Sequence, residues 1–452
     1  MKKYPFSHDM LTLGRKFNQA GFSLYLVGGA VRDYLLGKEN DDADFTTDAT
    51  PDEVINLFPK STIPTGIKHG TVTVVFNKQP YEITTFRTEG AYTDNRHPDS
   101  VSFVRSLEED LSRRDFTINA FAASTTDGSI IDLHNGFEDL KNKTIRAIGC
   151  AKERFNEDAL RMLRAIRFAS KLGFKIEEQT FNAIKEDAYR ITLISKERIR
   201  EEVFKLLNSP YPSYGLKLLR ESNLLKYIIP ELDEAYGFEQ LGNHKEDVFN
   251  HTLSAIEVAN KLSYPFIVKL SLLFHDLGKI DARRGSKDEG YTFYNHESIS
   301  AKIAERTLKE LKCSNEEIAK TTNLVKNHMF SYTPAWSDSA IRRFILRVGI
   351  SDIPLLFDVR RADALSMDSK ADFTLLNEFE ERIKKELENQ NALTLKDLKI
   401  NGNDVKVLFN VQGKTIGNVL SYLLEETIED PSLNEKEKLV NLAKIYLTKV
   451  NN

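Results

Sequence analysis

Asp42 and Asp44 flank a single alanine in a segment that should be extended. Side chains alternate along a strand, so the two carboxylates face one side. Two hard oxygen ligands on one face suit Mg²⁺ carried in with a nucleoside triphosphate. Such metals stabilise both the attacking and the leaving oxygen of phosphoryl transfer. Upstream, Gly28-Gly29-Ala30-Val31-Arg32-Asp33 follows Leu24-Tyr25-Leu26-Val27, a run that reads as a buried strand. A glycine pair lets backbone approach a phosphate closely, and the helix start after it favours an anion. Glu82, between Tyr81 and Ile83 on a neighbouring strand, is a candidate third carboxylate, with an edge-strand charge as its plainer reading. Asp-x-Asp alone and a glycine pair alone are weak signals; in this order they reinforce each other.

The elements that must hold these residues lie in the first third of the chain. Residues 1–150 alternate β-branched runs with helical patterns. A helix is expected over residues 30–36, and two strands, 71–76 and 81–86, form a hairpin around Asn77-Lys78-Gln79-Pro80. From about residue 152 strand signals nearly vanish and a 3.6-residue apolar period takes over. Residues 236–243 read as a linker. The chain is therefore expected to be α+β, an α/β head followed by an all-helical body. Its 452 residues exceed one ordinary core, so two to four domains are expected. Apolar residues at 41% and charged residues at 29% fit a folded chain in water. No run of 18 apolar residues could cross a membrane, and Pro5, His8 and Asp9 interrupt any signal-peptide core. The two cysteines, Cys150 and Cys313, lack a metal-site pattern, which fits a reducing cytoplasm.

A net charge of −4 means that any nucleic-acid footprint must be local. Residues 141–175 carry ten Lys/Arg against three acids, although charge runs are often only solvated helix faces. Within them, Glu157-Asp158-x-x-Arg161 reads as helical, which would put Asp158 and Arg161 on one face. The bland reading is a surface ion pair. The chemical reading is base choice. Cytosine and adenine both offer an amine donor beside a ring-nitrogen acceptor, whereas guanine and uracil present the reverse. A carboxylate with a guanidinium therefore admits CTP and ATP and rejects GTP and UTP.

The glycine pair with Asp42 and Asp44 resembles the first motif of the polymerase-β-like nucleotidyltransferase superfamily. Further motifs narrow the resemblance to the class II CCA-adding enzyme and bacterial poly(A) polymerase family. They are Pro64-Thr65-Gly66-Ile67-Lys68-His69-Gly70-Thr71-Val72-Thr73-Val74, Thr84-Thr85-Phe86-Arg87, Arg113-Arg114-Asp115-Phe116-Thr117-Ile118-Asn119-Ala120, residues 157–168 and Ile194-Ser195-Lys196-Glu197-Arg198-Ile199. Glu82 stays a candidate third catalytic carboxylate, and the resemblance implies that Asp42 and Asp44 hold catalytic Mg²⁺. It also implies that Gly28, Gly29, Arg32, Arg113, Arg114, Asp115, Asn119, Asp158, Arg161, Arg164 and Arg167 bind nucleotide. Arg113, Arg114 and Asp115 would lie near ribose and phosphates, with Asp115 favouring the ribose 2′-OH, and Asp158 and Arg161 would form the base template. Residues 87–98, with Gly90, Asp94 and Arg96, resemble the loop by which family members switch from C to A addition. The implied partners are tRNA, CTP and ATP.

His251, His275, Asp276 and Asp363 match the order of an HD-family metal phosphohydrolase, with His296 and His328 as candidates for a second metal position. Imidazole with carboxylate suits Mn, Ni or Fe. The resemblance implies phosphatase or 2′,3′-cyclic phosphodiesterase chemistry. Residues 398–405 and 413–417 resemble the family's C-terminal region and are expected to touch the tRNA body. The expected organisation is a nucleotidyltransferase head (1–150), a helical neck and RNA-binding domain (151–235), an HD domain (244–370) and a helical tail (371–452). The expected activity is template-independent addition of CCA to the tRNA 3′ end. The alternatives are a poly(A) polymerase or A-only adder, and, from another class, a metal phosphohydrolase whose N-terminal part binds RNA.

Overall fold

A computed structural model describes residues 3–40, 43–89, 101–240, 246–288, 290–389 and 394–451. Asp42, the Gly90, Asp94 and Arg96 positions of the 87–98 segment, and the end of the expected 236–243 linker lie outside the described residues. The chain forms two compact units, residues 1–234 with 310–312, and residues 235–309 with 313–452.

The first unit opens on a mixed sheet. Its strands are β1 (Leu24–Val27), β2 (Asp44–Thr47), β3 (Thr62–Gly66), β4 (Thr71–Phe76) and β5 (Gln79–Thr85). A short ribbon of β6 (Arg87–Glu89) and β7 (Val101–Phe103) stands apart, and β8 (Phe121–Ser124) and β9 (Ile130–Asp132) complete the sheet. The order is β3-β4-β5-β2-β1-β8-β9. β2 and β5 run parallel, and the other sheet pairs are antiparallel. Register decides the faces. Phe45, Val72, Val74, Tyr81 and Ile83 are buried, and Phe45 sits opposite Ile83, which sits opposite Val72. These residues therefore share one apolar face. The alternation then sends Asp44, Thr46, Glu82 and Thr84 to the other face.

The hairpin is tighter than the sequence suggests. The turn is Asn77-Lys78, both in the left-handed region at φ 50° and 67°, while Gln79 and Pro80 belong to β5. A two-residue turn with both φ values positive matches the strand twist, and asparagine tolerates that conformation. The helix after the glycine pair spans Gly29–Leu35, one residue earlier than expected. Helices follow, including Ala151–Glu157, Leu160–Leu172, Glu178–Asp187 and Lys196–Leu207. Leu160–Leu172 buries Leu160, Leu163, Ile166 and Ala169 and stops at Gly173, whose φ of 70° suits a helix terminus.

Among the described residues, the second unit is helical with one exception. A small hairpin pairs Arg284–Ser286 with Gly290–Thr292; strands of three residues are too short to leave a period-2 signal. Phe330, Phe344, Phe357 and Phe379 form an aromatic core, with Tyr332 stacked on Phe379 at 4.4 Å between ring centroids. The tail helices Gly402–Phe409, Lys414–Glu429 and Lys436–Asn451 close their own core around Val405, Val419, Leu423, Leu439 and Ala443. Among the described residues, no helix is long and apolar enough to cross a membrane.

Candidate active site and metal centre

Asp44 on β2 is in direct register with Glu82 on the parallel strand β5, and both are exposed. Neighbouring strands lie about 4.7–4.9 Å apart, so two carboxylates stand side by side at the sheet surface. Two residues along β2, the Thr46 hydroxyl donates to the Thr84 carbonyl at 3.0 Å and lies 3.4 Å from Asp110 Oδ2. Asp110, on the helix Leu107–Ser112, is fully buried. It accepts Arg113 Nε at 3.0 Å and Nη2 at 2.7 Å, and Arg114 Nη2 at 3.2 Å. Burial pushes the Asp110 carboxyl up, but the Arg113 and Arg114 guanidiniums push harder, and the net is below its ordinary range. Gly28 has φ 71°, and a Cβ added there would lie 3.5 Å from Arg114 Nη1. The glycine turn and the arginine pair thus meet on the Asp44 side of the head. Asp110 was not singled out from sequence, although its spacing to Arg113 and Arg114 is that of helical ion pairs.

Other residues assigned to nucleotide binding face inward. Arg32 is buried, donates to Asp33 at 2.8 Å and to Asn119 at 2.6 Å, and lies over the Phe168 ring. Asp115 is buried and already accepts four bonds: from the Phe116 N–H, Asn119 Nδ2, and Arg164 through Nε at 2.9 Å and Nη2 at 2.7 Å. Its lone pairs orient Arg164 rather than reach towards solvent. Burial again pushes the carboxyl up and Arg164 brings it below its ordinary range. Arg167 pairs with the buried Glu202 and lies 4.0 Å from the Phe168 centroid.

The 157–161 segment differs from its helical reading. Asp158 stands in the break between two helices with extended backbone at φ −143° and ψ 105°, so the shared-face spacing with Arg161 does not hold. The Asp158 carboxylate accepts the Leu160 N–H at 3.0 Å and pairs with Arg198. Arg161 donates to Glu157 at 2.5 Å and to the Arg113 carbonyl at 3.0 Å. The basic run 141–175 is also less bare than its count: Arg146, Arg154, Arg161, Arg164 and Arg167 all have acidic partners.

In the second unit six residues from five segments converge, His275 and Asp276 being adjacent. His251, His275 and Asp363 offer ligand atoms within 4.8 Å of one another, as do Asp276, His296 and His328. All six are buried. The helix ends do the aiming. The Nδ1 atoms of His275, His296 and His328 lie 2.7–2.8 Å from the carbonyls of Leu272, Phe293 and Val325, three residues back in each case. His251 Nδ1 lies 3.3 Å from Ser366 Oγ. Every Nε2 therefore points into the cluster. Asp276 bridges the two groups, with Oδ1 3.2 Å from His296 Nε2 and Oδ2 3.4 Å from His251 Nε2. His296 Nε2 and His328 Nε2 are buried without a hydrogen bond, the state of a ligand atom facing a metal. Burial pushes Asp276 and Asp363 up, but neighbouring imidazoles, and Lys279 beside Asp276, hold both well below the carboxylate range. Burial pushes His328 below its ordinary value, which leaves the neutral imidazole that metals take. Lys279, not singled out from sequence, donates to Asp276 and Gln240, each at 2.6 Å.

Three family descriptions match consecutive parts of the chain. They are "Poly A polymerase head domain" over residues 24–146, "Probable RNA and SrmB- binding site of polymerase A" over 173–236, and "tRNA nucleotidyltransferase domain 2 putative" over 291–443. A CCA-adding enzyme of Lactococcus lactis subsp. cremoris is 55% identical over 216 residues, 47% of this chain and 53% of the relative. The match to that relative thus spans about half its length. A CCA-adding enzyme of Enterococcus faecalis is 36% identical over 432 residues, 95% of this chain and 94% of the relative. The fold is similar to the crystal structure of the Bacillus stearothermophilus CCA-adding enzyme in complex with CTP, at 30% identity, a TM-score of 0.72 and 98% coverage of each chain. With the head sheet, the helical body and a relative matched almost end to end, the chain belongs to the CCA-adding enzyme family.

Proposed function

We propose that the chain transfers CMP, CMP and then AMP from CTP and ATP to the 3′ end of tRNA in the cytoplasm, releasing pyrophosphate at each step. The observation that carries this reading is the Asp44–Glu82 register beside Arg113 and Arg114, which hang from Asp110. Paired exposed carboxylates fit Mg²⁺, with Asp42 and Asp44 as its expected holders and Glu82 alongside. Bound Mg²⁺ would supply charge neutralisation at the α-phosphate. The residues of the chain then do the rest. Arg113 and Arg114 take the phosphates, with Arg114 beside the Gly28 turn, whose φ of 71° favours glycine. Asp158 accepts the exocyclic amine of cytosine or adenine, and Arg161 donates to the ring nitrogen. The tRNA 3′-hydroxyl attacks the α-phosphate, and pyrophosphate departs. The test is incubation with tRNA lacking zero, one, two or three terminal nucleotides, with labelled CTP or ATP. Addition of C to the shortest substrates supports CCA synthesis; A alone on all of them indicates an A-only adder or poly(A) polymerase.

A second activity is favoured by the Nε2 atoms of His296 and His328, which converge on Asp276 Oδ1 in a buried cluster without a well-formed hydrogen bond. His251, His275 and Asp363 would hold one transition metal, and Asp276, His296 and His328 another, with Mn, Ni or Fe suited to the donors. Two bound metals would supply an activated water near neutral pH. The activity is phosphohydrolysis of a nucleotide ester, such as a 2′,3′-cyclic phosphate. Asp276→Ala should lose it and keep nucleotide incorporation, and Asp44→Ala should do the reverse.

A further inference from the structure

We infer that Arg198 governs base choice by fixing the carboxylate of Asp158; this rests on the reading of Asp158 and Arg161 as the base template. Asp158 lies between helices, at φ −143° and ψ 105°. Its carboxylate meets the Leu160 N–H and, from forty residues away, Arg198. Arg198 Nη2 reaches Oδ2 at 2.6 Å and Nη1 reaches Oδ1 at 3.3 Å. One prong on each oxygen sets the plane of the carboxylate as well as its position. The remaining lone pairs then have a defined direction, which an exocyclic amine must meet.

Arg198 acts from a firm base. It sits in the helix Lys196–Leu207, which buries Ile199, Val203, Leu206 and Leu207. The other half of the template is held separately. Glu157 accepts Arg161 at 2.5 Å and is itself bridged by Arg154 at 2.6 Å, while the Arg113 carbonyl takes the second prong of Arg161 at 3.0 Å. Two partners therefore set two template groups, and one can be released without the other. Cytosine and uracil differ in the order of donor and acceptor, so rejection of uracil depends on Asp158 and Arg161 keeping their mutual spacing. A carboxylate freed from Arg198 can turn away, and a misplacement of about 1 Å can cost on the order of 10²-fold in rate. Arg198 is a positioning residue; it need not touch the nucleotide.

The experiment uses full-length Arg198→Ala, Arg198→Lys and Asp158→Ala proteins. Incorporation of each of the four nucleotides into 3′-truncated tRNA is measured, alongside thermal unfolding. For Arg198→Ala we expect kcat/KM for CTP and ATP to fall at least about tenfold, chiefly through KM, and the CTP/UTP and ATP/GTP ratios to narrow by a similar factor. Lysine keeps the charge but offers no fork, so Arg198→Lys recovers part of the rate and little of the ratio. Equal losses for all four nucleotides with unchanged ratios in both Arg198 variants would mean that Arg198 supports only the fold or the general charge, and would overturn the inference. If Asp158→Ala narrows the ratios and the Arg198 variants do not, the assignment of Arg198 alone falls. If Asp158→Ala also leaves them unchanged, the template reading itself fails. Should Arg198→Ala not fold, Arg198→Lys carries the same comparison.

Discussion

The Nε2 atoms of His251 and His275 stand 3.3 Å apart, and each ring has its Nδ1 beside an oxygen. With Nδ1 hydrogen-bonded outward, neither Nε2 can donate to the other unless one ring is charged. Asp363 Oδ1 lies 3.1 Å from His251 Nε2 and 3.6 Å from His275 Nε2. Burial pushes the His275 imidazole down, yet Asp276 and Asp363 raise it above its ordinary value. The cluster is a cage that demands positive charge, which a metal cation would supply.

Metal content tests this directly. Protein loaded with Mn²⁺ or Ni²⁺ and freed of excess should retain about two ions per chain, as two-metal hydrolases do. His328→Ala should reduce the number to about one. Chelation should lower the unfolding temperature, because a metal at a hundred times its Kd adds about 2.7 kcal/mol. Wild-type protein that keeps no metal would refute the assignment.

Asp44→Ala should abolish nucleotide addition by several orders of magnitude, since an interaction made at the reacting phosphate is lost. The residue is exposed on its strand, so unfolding free energy should change by no more than about 0.5 kcal/mol. Glu82→Ala, on the adjoining strand, should lose addition as well if it shares the metal. Near-normal incorporation by Asp44→Ala in Mg²⁺ would sink the site; near-normal incorporation by Glu82→Ala would reduce Glu82 to a surface charge.

Much of this was legible in the chain because it depends on local periodicity. The strand alternation that sets Asp44 and Glu82 on one face follows from period 2. The helical body follows from period 3.6. Contacts between distant segments were not legible in the same way. Asp158 looked helical because the break after Glu157 carries no glycine or proline; its carboxylate capping the Leu160 N–H makes the break. Arg198 stood in a recognised motif, but its partner is set by how two helices pack. His296 and His328 could not be decided from spacing, since only the tertiary fold brings their rings to 5.3 Å between centroids. The short hairpin at Arg284 leaves no signal for lack of length, and the turn at Asn77 is where the sequence puts it but two residues shorter.

Asp110→Asn should destabilise the first unit by about 2–3 kcal/mol, less than the full cost of breaking a buried pair because Arg113 and Arg114 reach solvent. The pH dependence has a definite sign. The folded carboxyl lies below its ordinary 3.8, so the folded state binds the proton less readily than the unfolded chain. The ionised contribution is complete above that value and disappears as pH falls through the lower, folded-state value. Urea unfolding of both proteins should show a constant gap from pH 7 down towards 3.8, closing only below it. A gap that closes in the neutral range would point to another group.

Arg342→Ala should be among the most damaging single changes in the second unit. Arg342 and Glu386 are both buried and 2.8 Å apart. The same guanidinium donates to the carbonyls of Ile428 at 2.7 Å and Glu429 at 3.2 Å, at the end of the helix Lys414–Glu429. It therefore satisfies a buried carboxylate and two helix-end acceptors at once, joining the aromatic core to the tail. Removing it takes away the buried guanidinium that faces Glu386, at a cost of about 3–5 kcal/mol. Lysine restores the charge but cannot reach three acceptors with one ammonium, so Arg342→Lys should recover less than half of the loss. An apolar pair of similar volume, Arg342→Met with Glu386→Leu, removes both charges and should recover most of the Glu386 part. It leaves the two carbonyls short of a donor, at about 1–3 kcal/mol each if they stay dry. Urea unfolding of the three variants gives the answer. If Arg342→Ala costs under about 1 kcal/mol, the range of an exposed pair, the guanidinium is not holding the tail to the aromatic core.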